Sequence, residues 1–304
     1  MDVLQQFPIR KSKRQKTAFL DAATAYCREL GYQVQVEKGG LGVRNLVIGD
    51  PKSADYLITA HYDTCARLPF PNLLTPCSFW LFAAWQLLLV VVLCVPVGVI
   101  AGVTAVFLDA PELGGVIAYV LLLAELAWMM VGPANQLNAN DNTSGVVTVL
   151  ETASRLKPAD RNRVCFVLFD LEEAGLLGSS AYRKKHRKES AKQLVLNADC
   201  VGEGNEILLF PTGKLKKNRN RMDRLQAACL VEKDRSMTLV RKGFAIYPSD
   251  QANFPLGLGI AAFRRSAWAG LYLGKIHTKR DVILEQKNVA LICDFLLQVI
   301  SHQA

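Results

Sequence analysis

From Leu68 to Leu108 the chain runs for 41 residues without one Asp, Glu, Lys or Arg. Within it, residues 79–108 (FWLFAAWQLLLVVVLCVPVGVIAGVTAVFL) are almost unbroken apolar sequence. A globular helix averages about 10–14 residues, whereas crossing a bilayer takes about 20 apolar ones. As a helix this segment reaches about 45 Å, enough to cross a hydrocarbon core of about 30 Å with a tilt or a kink at Pro96. A second apolar run, 116–131 (VIAYVLLLAELAWMMV), follows the acidic turn DAPELGG at 109–115. It is short and must borrow flanking residues. It also carries Glu125, which is costly against lipid and is expected to face the first helix or a water-filled gap. Trp80, Trp85 and Trp128 lie toward the run ends, where aromatic belts form. The pattern predicts a transmembrane helical hairpin, with helices at about 79–108 and 113–132. A buried soluble hairpin or a dimerisation arm is the plainer alternative, and the length of the first run speaks against it.

Charge divides the chain the same way. Residues 68–134 hold no base and three acids, Asp109, Glu112 and Glu125, so all 36 bases and 24 of the 27 acids lie outside. The expected organisation is a discontinuous basic domain, 1–67 and 135–304, interrupted by the hairpin insert 68–134. A hairpin returns the chain to the side it left. The excess of Lys and Arg therefore predicts a multi-pass protein of the cell membrane with its body on the cytoplasmic side. The N-terminus lacks the apolar core of a cleaved leader. Eight cysteines show no CxxC pair or regular spacing, as reduced structural thiols do. An apolar share of 51% excludes disorder as a description of the whole.

The body alternates short apolar runs with helical periodicity. Strands are predicted at 33–36, 45–48, 56–60, 163–169, 194–198 and 206–210, with an extended piece at 261–263. Helices are predicted at 13–30, 143–157, 175–188, 221–233 and 285–301. This alternation implies an α/β fold: a three-layer α/β/α sandwich with a central mixed, mostly parallel sheet, plus the inserted transmembrane hairpin.

In such folds ligands bind beyond the carboxyl ends of the strands. There the sequence places His61-Tyr62-Asp63 after YLITA, Asp170-Leu171-Glu172-Glu173 after RVCFVLF, and Asp199 after LVLNA. Asn140-Asp141-Asn142 precedes a helix, and His277 follows Ile276 late in the chain. Each alone is unremarkable, since an acidic pair after a strand suits a helix N-terminus and Asp-Asn before Thr-Ser-Gly suits a cap. Together, two of the chain's four histidines and several carboxylates form a nitrogen and oxygen donor set that zinc, cobalt or manganese accept.

The ordered motifs HYDT (61–64), NANDNTSG (138–145), DLEEAGLLGS (170–179), NADCVG (197–202) and IHTKRD (276–281) resemble the M28 family of di-zinc aminopeptidases, which also includes carboxypeptidases and glutaminyl cyclases. Ser249-Asp250-Gln251 resembles a further segment in which the family usually has His where this chain has Gln251. The resemblance implies two zinc ions, with cobalt or manganese as substitutes. His61 and Asp199 would hold one, Glu173 and His277 the other, and Asp141 would bridge them through a turn whose Asp141–Asn142 bond is cis. It assigns Glu172 as general base, and Asp63 as the acceptor of the second N–H of His61. The implied activity is hydrolysis of the N-terminal peptide bond of a peptide substrate. Glutaminyl-cyclase-like acyl transfer is the alternative, although such relatives use one zinc and this chain keeps five candidate ligands. A non-enzymatic membrane interaction protein is the other, and the intact ligand set argues against it.

Basic runs at 10–16 (RKSKRQK), 183–188 (RKKHRK) and 214–221 (KLKKNRNR) are solvated faces at the least. Beside a membrane hairpin they are expected to attract anionic lipid headgroups. No nucleic-acid partner is expected, because no binding module is visible. The hairpin offers a surface for homo-oligomers.

Overall fold

The computed structural model describes residues 1–68, 70 and 72–301; residues 302–304 of the expected body domain lie outside the described residues. In chain order the elements are α1 (Val3–Gln6), α2 (Lys13–Glu29), β1 (Val34–Lys38), β2 (Arg44–Ile48), β3 (Tyr56–His61), α3 (Phe79–Phe107) and α4 (Pro111–Val131). Then follow α5 (Gly145–Arg155), β4 (Val164–Phe169), α6 (Leu177–Lys185), β5 (Leu194–Ala198), β6 (Glu206–Pro211), α7 (Gly213–Lys216) and α8 (Arg219–Ala228). The chain ends with β7 (Ser236–Leu239), β8 (Gly257–Ser266), β9 (Gly270–Tyr272) and α9 (Gln286–Ser301).

The sheet order is β1-β2-β4-β3-β5-β8-β6-β7, with β9 paired to β8. The inner strands β4, β3, β5 and β8 are parallel, and antiparallel pairs flank them on both sides. The inner strands are buried on both faces, and successive residues serve opposite layers. Ile58, Ala60, Phe166 and Leu168 join the layer formed with α2, α5 and α9. Leu57, Cys165, Val167 and Phe169 pack on the other side with Tyr182 of α6 and Phe254. This is the expected three-layer α/β/α architecture.

The differences from the sequence expectations have local causes. β8 is ten residues long where only 261–263 looked extended. Its first residues, Gly-Leu-Gly, carry no strand signal, yet the glycines are needed where the strand crosses the buried Gln251. A Cβ on Gly259 would sit 2.7 Å from the Gln251 carboxamide carbon. The helix expected over 221–233 stops at Ala228, because residues 231 and 236 bridge into the turn that starts β7.

The insert meets the body at several places, since Leu74 bridges Leu273 and Ile246 N–H donates to the Pro76 carbonyl at 3.0 Å, and its two ends close at a root. Ala66 bridges Ala134, and Arg67 N–H donates to the Pro133 carbonyl at 2.8 Å. From that root rise α3, 29 residues and continuous through Pro96, and α4, 21 residues. The second helix starts at Pro111, earlier than its apolar run, because Pro at the first turn is preorganised for helix. The two helices pack along small residues: a Cβ on Gly114 would lie 2.7 Å from the Ala101 carbonyl and 2.8 Å from the Ala105 methyl. Glu125 is half-buried on the stripe that includes Gly114, Leu121 and Met129, which α4 turns toward α3. Outside that seam, large side chains such as Val99, Val106 and Tyr119 face outward.

Gly259→Ala should destabilise the body by about 1–3 kcal/mol through this overpacking. A shift in the denaturation midpoint of the purified protein checks it, with Gly213→Ala, at an open position, as the comparison.

Candidate metal centre

The strand register builds the site. His61 pairs with Phe169 and Thr59 with Asn197, so the ends of β4, β3 and β5 are level. His61 therefore lies beside the turn carrying Glu172 and Glu173 on one flank and Asp199 on the other. Asp141 comes from the buried turn Ala139–Ser144 ahead of α5, and His277 from the segment after β9.

Asp141 divides its two oxygens between two groups. Oδ1 lies 3.3 Å from His61 Nε2, which is itself 3.5 Å from Asp199 Oδ1. Oδ2 lies 2.9 Å from His277 Nε2, which is 3.3 Å from Glu173 Oε2. Donors held by one tetrahedral zinc at about 2.0–2.2 Å are separated by about 3.3–3.5 Å. Three of the four spacings match that edge and the fourth is shorter. Glu173 Oε1 and Asp199 Oδ1 are buried without a hydrogen-bond donor. Acceptors left bare in this way, together with an imidazole on each side, fit divalent cations. Glu172 Oε2 lies 3.9 Å from His61 Nε2, beside the two groups. The side chains of Glu172, Glu173 and His277 retain 15%, 15% and 22% exposure while His61 retains 1%, so the site opens on the Glu172 and His277 side.

The electrostatics express the same crowding. Burial pushes the Glu172 carboxyl well above the usual range, and the neighbouring Glu173 and Asp199 add to this against the opposing His61. Burial likewise takes Glu173 up to about 8, with His277 opposing. For Asp141, burial acts upward, but hydrogen bonds from His277 and His61 hold the carboxyl well below the usual range. Burial lowers both imidazoles, yet the surrounding carboxylates raise His277 to about 9 and His61 well above its ordinary value. Five carboxylates crowd two imidazoles in a mostly buried space, and ionising all of them calls for further positive charge.

The structure brings His61, Asp63, Asp141, Glu172, Glu173, Asp199 and His277 into one site. The contacts of Asp63 are richer than the sequence implied. Its carboxylate accepts from the backbone N–H groups of Glu172 (3.0 Å) and Glu173 (3.3 Å), and its Oδ1 is 3.5 Å from His61 Nδ1. The nearer oxygen to that nitrogen is the Asp63 carbonyl, at 3.2 Å. The Asp141–Asn142 bond is cis. Leu171, Cys200 and His277 adopt left-handed backbone, a costly conformation for non-glycine residues that concentrates at functional sites.

Several supporting residues lie outside the candidate site residues that the sequence named. Asp281, within IHTKRD, accepts from the N–H groups of Asn140 (2.7 Å) and Asp141 (3.0 Å) and so holds the bridging turn from behind. Arg10 is fully buried, donating to the Tyr62 and Phe7 carbonyls and to Thr143 Oγ1. Cys65 offers its sulfur beside Glu173 and His277, and burial holds it as a thiol. Gln251 is buried away from the opening, donating to the Tyr247 carbonyl at 2.8 Å and accepting from Asn197 at 3.2 Å. Tyr247 in turn donates to the Asp199 carbonyl at 3.0 Å.

The profile of peptidase family M28 matches residues 120–291, and the chain belongs to that family. No curated protein matches the sequence. Among solved structures, a Zn-dependent exopeptidase from Parabacteroides distasonis superposes with a TM-score of 0.60 at 15% identity, covering 98% of this chain and 94% of that one. Glutaminyl cyclase from Porphyromonas gingivalis gives 0.59 at 17% identity, covering 98% and 94%. The LapA aminopeptidase of Legionella pneumophila gives 0.56 at 14% identity, covering 98% and 68%. At these identities the likeness is one of fold.

Asp281→Ala would leave two buried N–H groups of the bridging turn unpaired. It should cost about 2–4 kcal/mol of stability, read as a lowered midpoint in denaturant.

Proposed function

We propose that the protein is a membrane-anchored zinc aminopeptidase that hydrolyses the N-terminal peptide bond of peptides. The observation that carries this reading is the division of Asp141 between a His61–Asp199 group and a His277–Glu173 group, with Glu172 alongside. His61, Asp199 and one Asp141 oxygen would hold one zinc ion, and His277, Glu173 and the other Asp141 oxygen a second. Zinc in such a site acidifies water and polarises a carbonyl oxygen.

The chain's own residues do the rest. Glu172, whose carboxyl is pushed up by burial, takes a proton from the attacking water and returns it to the departing amine. Asp63 fixes that carboxylate by binding the Glu172 and Glu173 backbone, and it backs the His61 ring. Asp281 and Arg10 clamp the turns that carry Asp141 and Asp63. The surplus of carboxylates also suits a substrate's terminal ammonium, which would restrict cleavage to the first peptide bond. The glutaminyl-cyclase structures that share the fold keep acyl transfer as the second reading. Metal stoichiometry separates the two.

Glu172→Gln preserves size but cannot take a proton. It should lower kcat at least about 100-fold while metal content stays at two zinc ions per chain by mass measurement. Glu173→Gln should lower metal content and rate together. Saturation at one ion in the wild type, or an exchange of the two phenotypes, would reject the assignment.

The membrane reading rests on physics independent of the site. At about 1.5 Å per residue, α3 and α4 reach about 43 and 31 Å, against a core of about 30 Å. Both are exposed along most of their length. Their connecting turn holds acids and no base, and the body holds every Lys and Arg. The turn 109–115 should therefore lie outside and the body, with its catalytic centre, in the cytoplasm. In a background without native cysteines, Glu112→Cys should react with an impermeant thiol reagent in intact cells and Lys216→Cys should not. The protein should also resist carbonate extraction; release by carbonate would reject the hairpin as a membrane anchor.

A further inference from the structure

The basic run at 10–16 does not form one solvated face. Arg10 is buried, and Lys16 is buried in an ion pair with Asp170 at 2.5 Å. Lys11 is half-buried and donates Nζ to the Met130 carbonyl at 2.7 Å, at the end of α4. Lys11 and Lys16 line a cavity of 540 Å³ that reaches Asp63 and Glu173 of the metal centre. Its other walls are mostly apolar, with Met130 and Val131 from the hairpin and Leu171 and Ala174 from the body, beside the polar Ser12, Gln15 and Thr64. A second cavity, also of 540 Å³, shares Lys11, Lys16 and Leu171 with the first. It is lined further out by Lys13, Lys38 and Arg44.

The two cavities share a wall and form one groove that begins at Asp63 and Glu173, is mostly apolar there and becomes basic further along. Beyond Asp63 and Glu173 its one acid is Asp170. That carboxylate is already engaged by Lys16 and by the backbone N–H groups of Arg44 and Leu171, each at 3.0 Å. Lys13 and Lys38 are exposed, and neither makes an ion pair among the described residues. The outer groove therefore presents uncompensated positive charge.

We infer that this groove binds the substrate chain beyond the scissile bond and selects peptides with acidic side chains there. The inference rests on the aminopeptidase reading. An aminopeptidase leaves one residue on the amino side of the bond it cuts, so a long groove leading away from Glu173 suits the departing chain. At about 3.3–3.6 Å per extended residue, the first residues of that chain meet the apolar stretch and later ones meet Lys13, Lys38 and Arg44.

The test uses the full-length protein in detergent micelles of neutral charge. Peptides begin Ala-Leu, continue with three Glu, three Ala or three Lys, and end in a C-terminal amide with a fluorescent label. Binding is read by anisotropy on the Glu172→Gln protein, and kcat/KM on the wild type with the same peptides. The Glu peptide should bind about tenfold or more tighter than the Lys peptide at low ionic strength, with the preference fading as salt screens it. Lys13→Glu/Lys38→Glu should invert the order. Lys188→Glu/Lys214→Glu, an equal change of charge at exposed sites away from the groove, should leave it as it was.

If the wild type cleaves alanine p-nitroanilide but the three peptides bind alike, the groove assignment falls and the aminopeptidase reading stands. A preference for free-acid over amidated Ala peptides, without preference for Glu, would replace the acidic-peptide assignment by a terminal-carboxylate site. Charge-selective binding with no cleavage of any substrate would remove the aminopeptidase reading and the departing-chain assignment with it.

Discussion

Everything around the metal centre follows from burying too many carboxylates in one place. Asp63, Asp141, Glu172, Glu173 and Asp199 converge on His61 and His277 where three parallel strands end. Charge of one sign at that density is tolerable only when it is shared among donors and cations. The fold supplies the donors from the backbone: Asp63 takes two N–H groups of the Glu172 turn and Asp281 takes two of the Asp141 turn. Each turn is fixed by a carboxylate that does not itself belong to either donor group. The remaining negative charge faces inward, and this is why divalent cations fit the site better than any arrangement of its own side chains.

The insert is joined to the same centre. Its root at Ala66 and Ala134 falls between His61 and Asp141, so the stem of the hairpin leaves the body beside the opening. Lys11 ties the end of α4 to the N-terminal segment, and Met130 and Val131 become part of the groove wall. The hairpin thus lies between two candidate ligands in the chain and beside the opening of the site.

Much of this was legible in the chain. The alternation of strands and helices and the uncharged insert could be read because each has a local signature, while the site residues were picked out by their place at strand ends and by the ordered motifs. Strand ends followed by His or acids, and thirty apolar residues in a row, need no knowledge of distant partners. What was not legible depended on distant partners. The start of β8 gave no strand signal because its glycines answer to Gln251 packed against them, and β7 gave none because its pairing with β6 is nonlocal. Arg10 sat in a run of bases and gave no sign that it would be fully buried among carbonyl groups.

The sequence by itself determined which elements form, which strand ends carry donors, and that one segment is long and apolar enough to cross a membrane. These are properties of period, composition and adjacency. The tertiary structure decided how those donors share space: that Asp141 divides its oxygens, that Asp63 binds the Glu172 turn more closely than the His61 ring, and that a basic run separates into a buried clamp, an ion pair and a groove wall. Such outcomes depend on distances between residues far apart in the sequence, from 52 positions for Arg10 and Tyr62 to 154 for Lys16 and Asp170. Those distances are set by strand register and helix packing, and no local pattern encodes them.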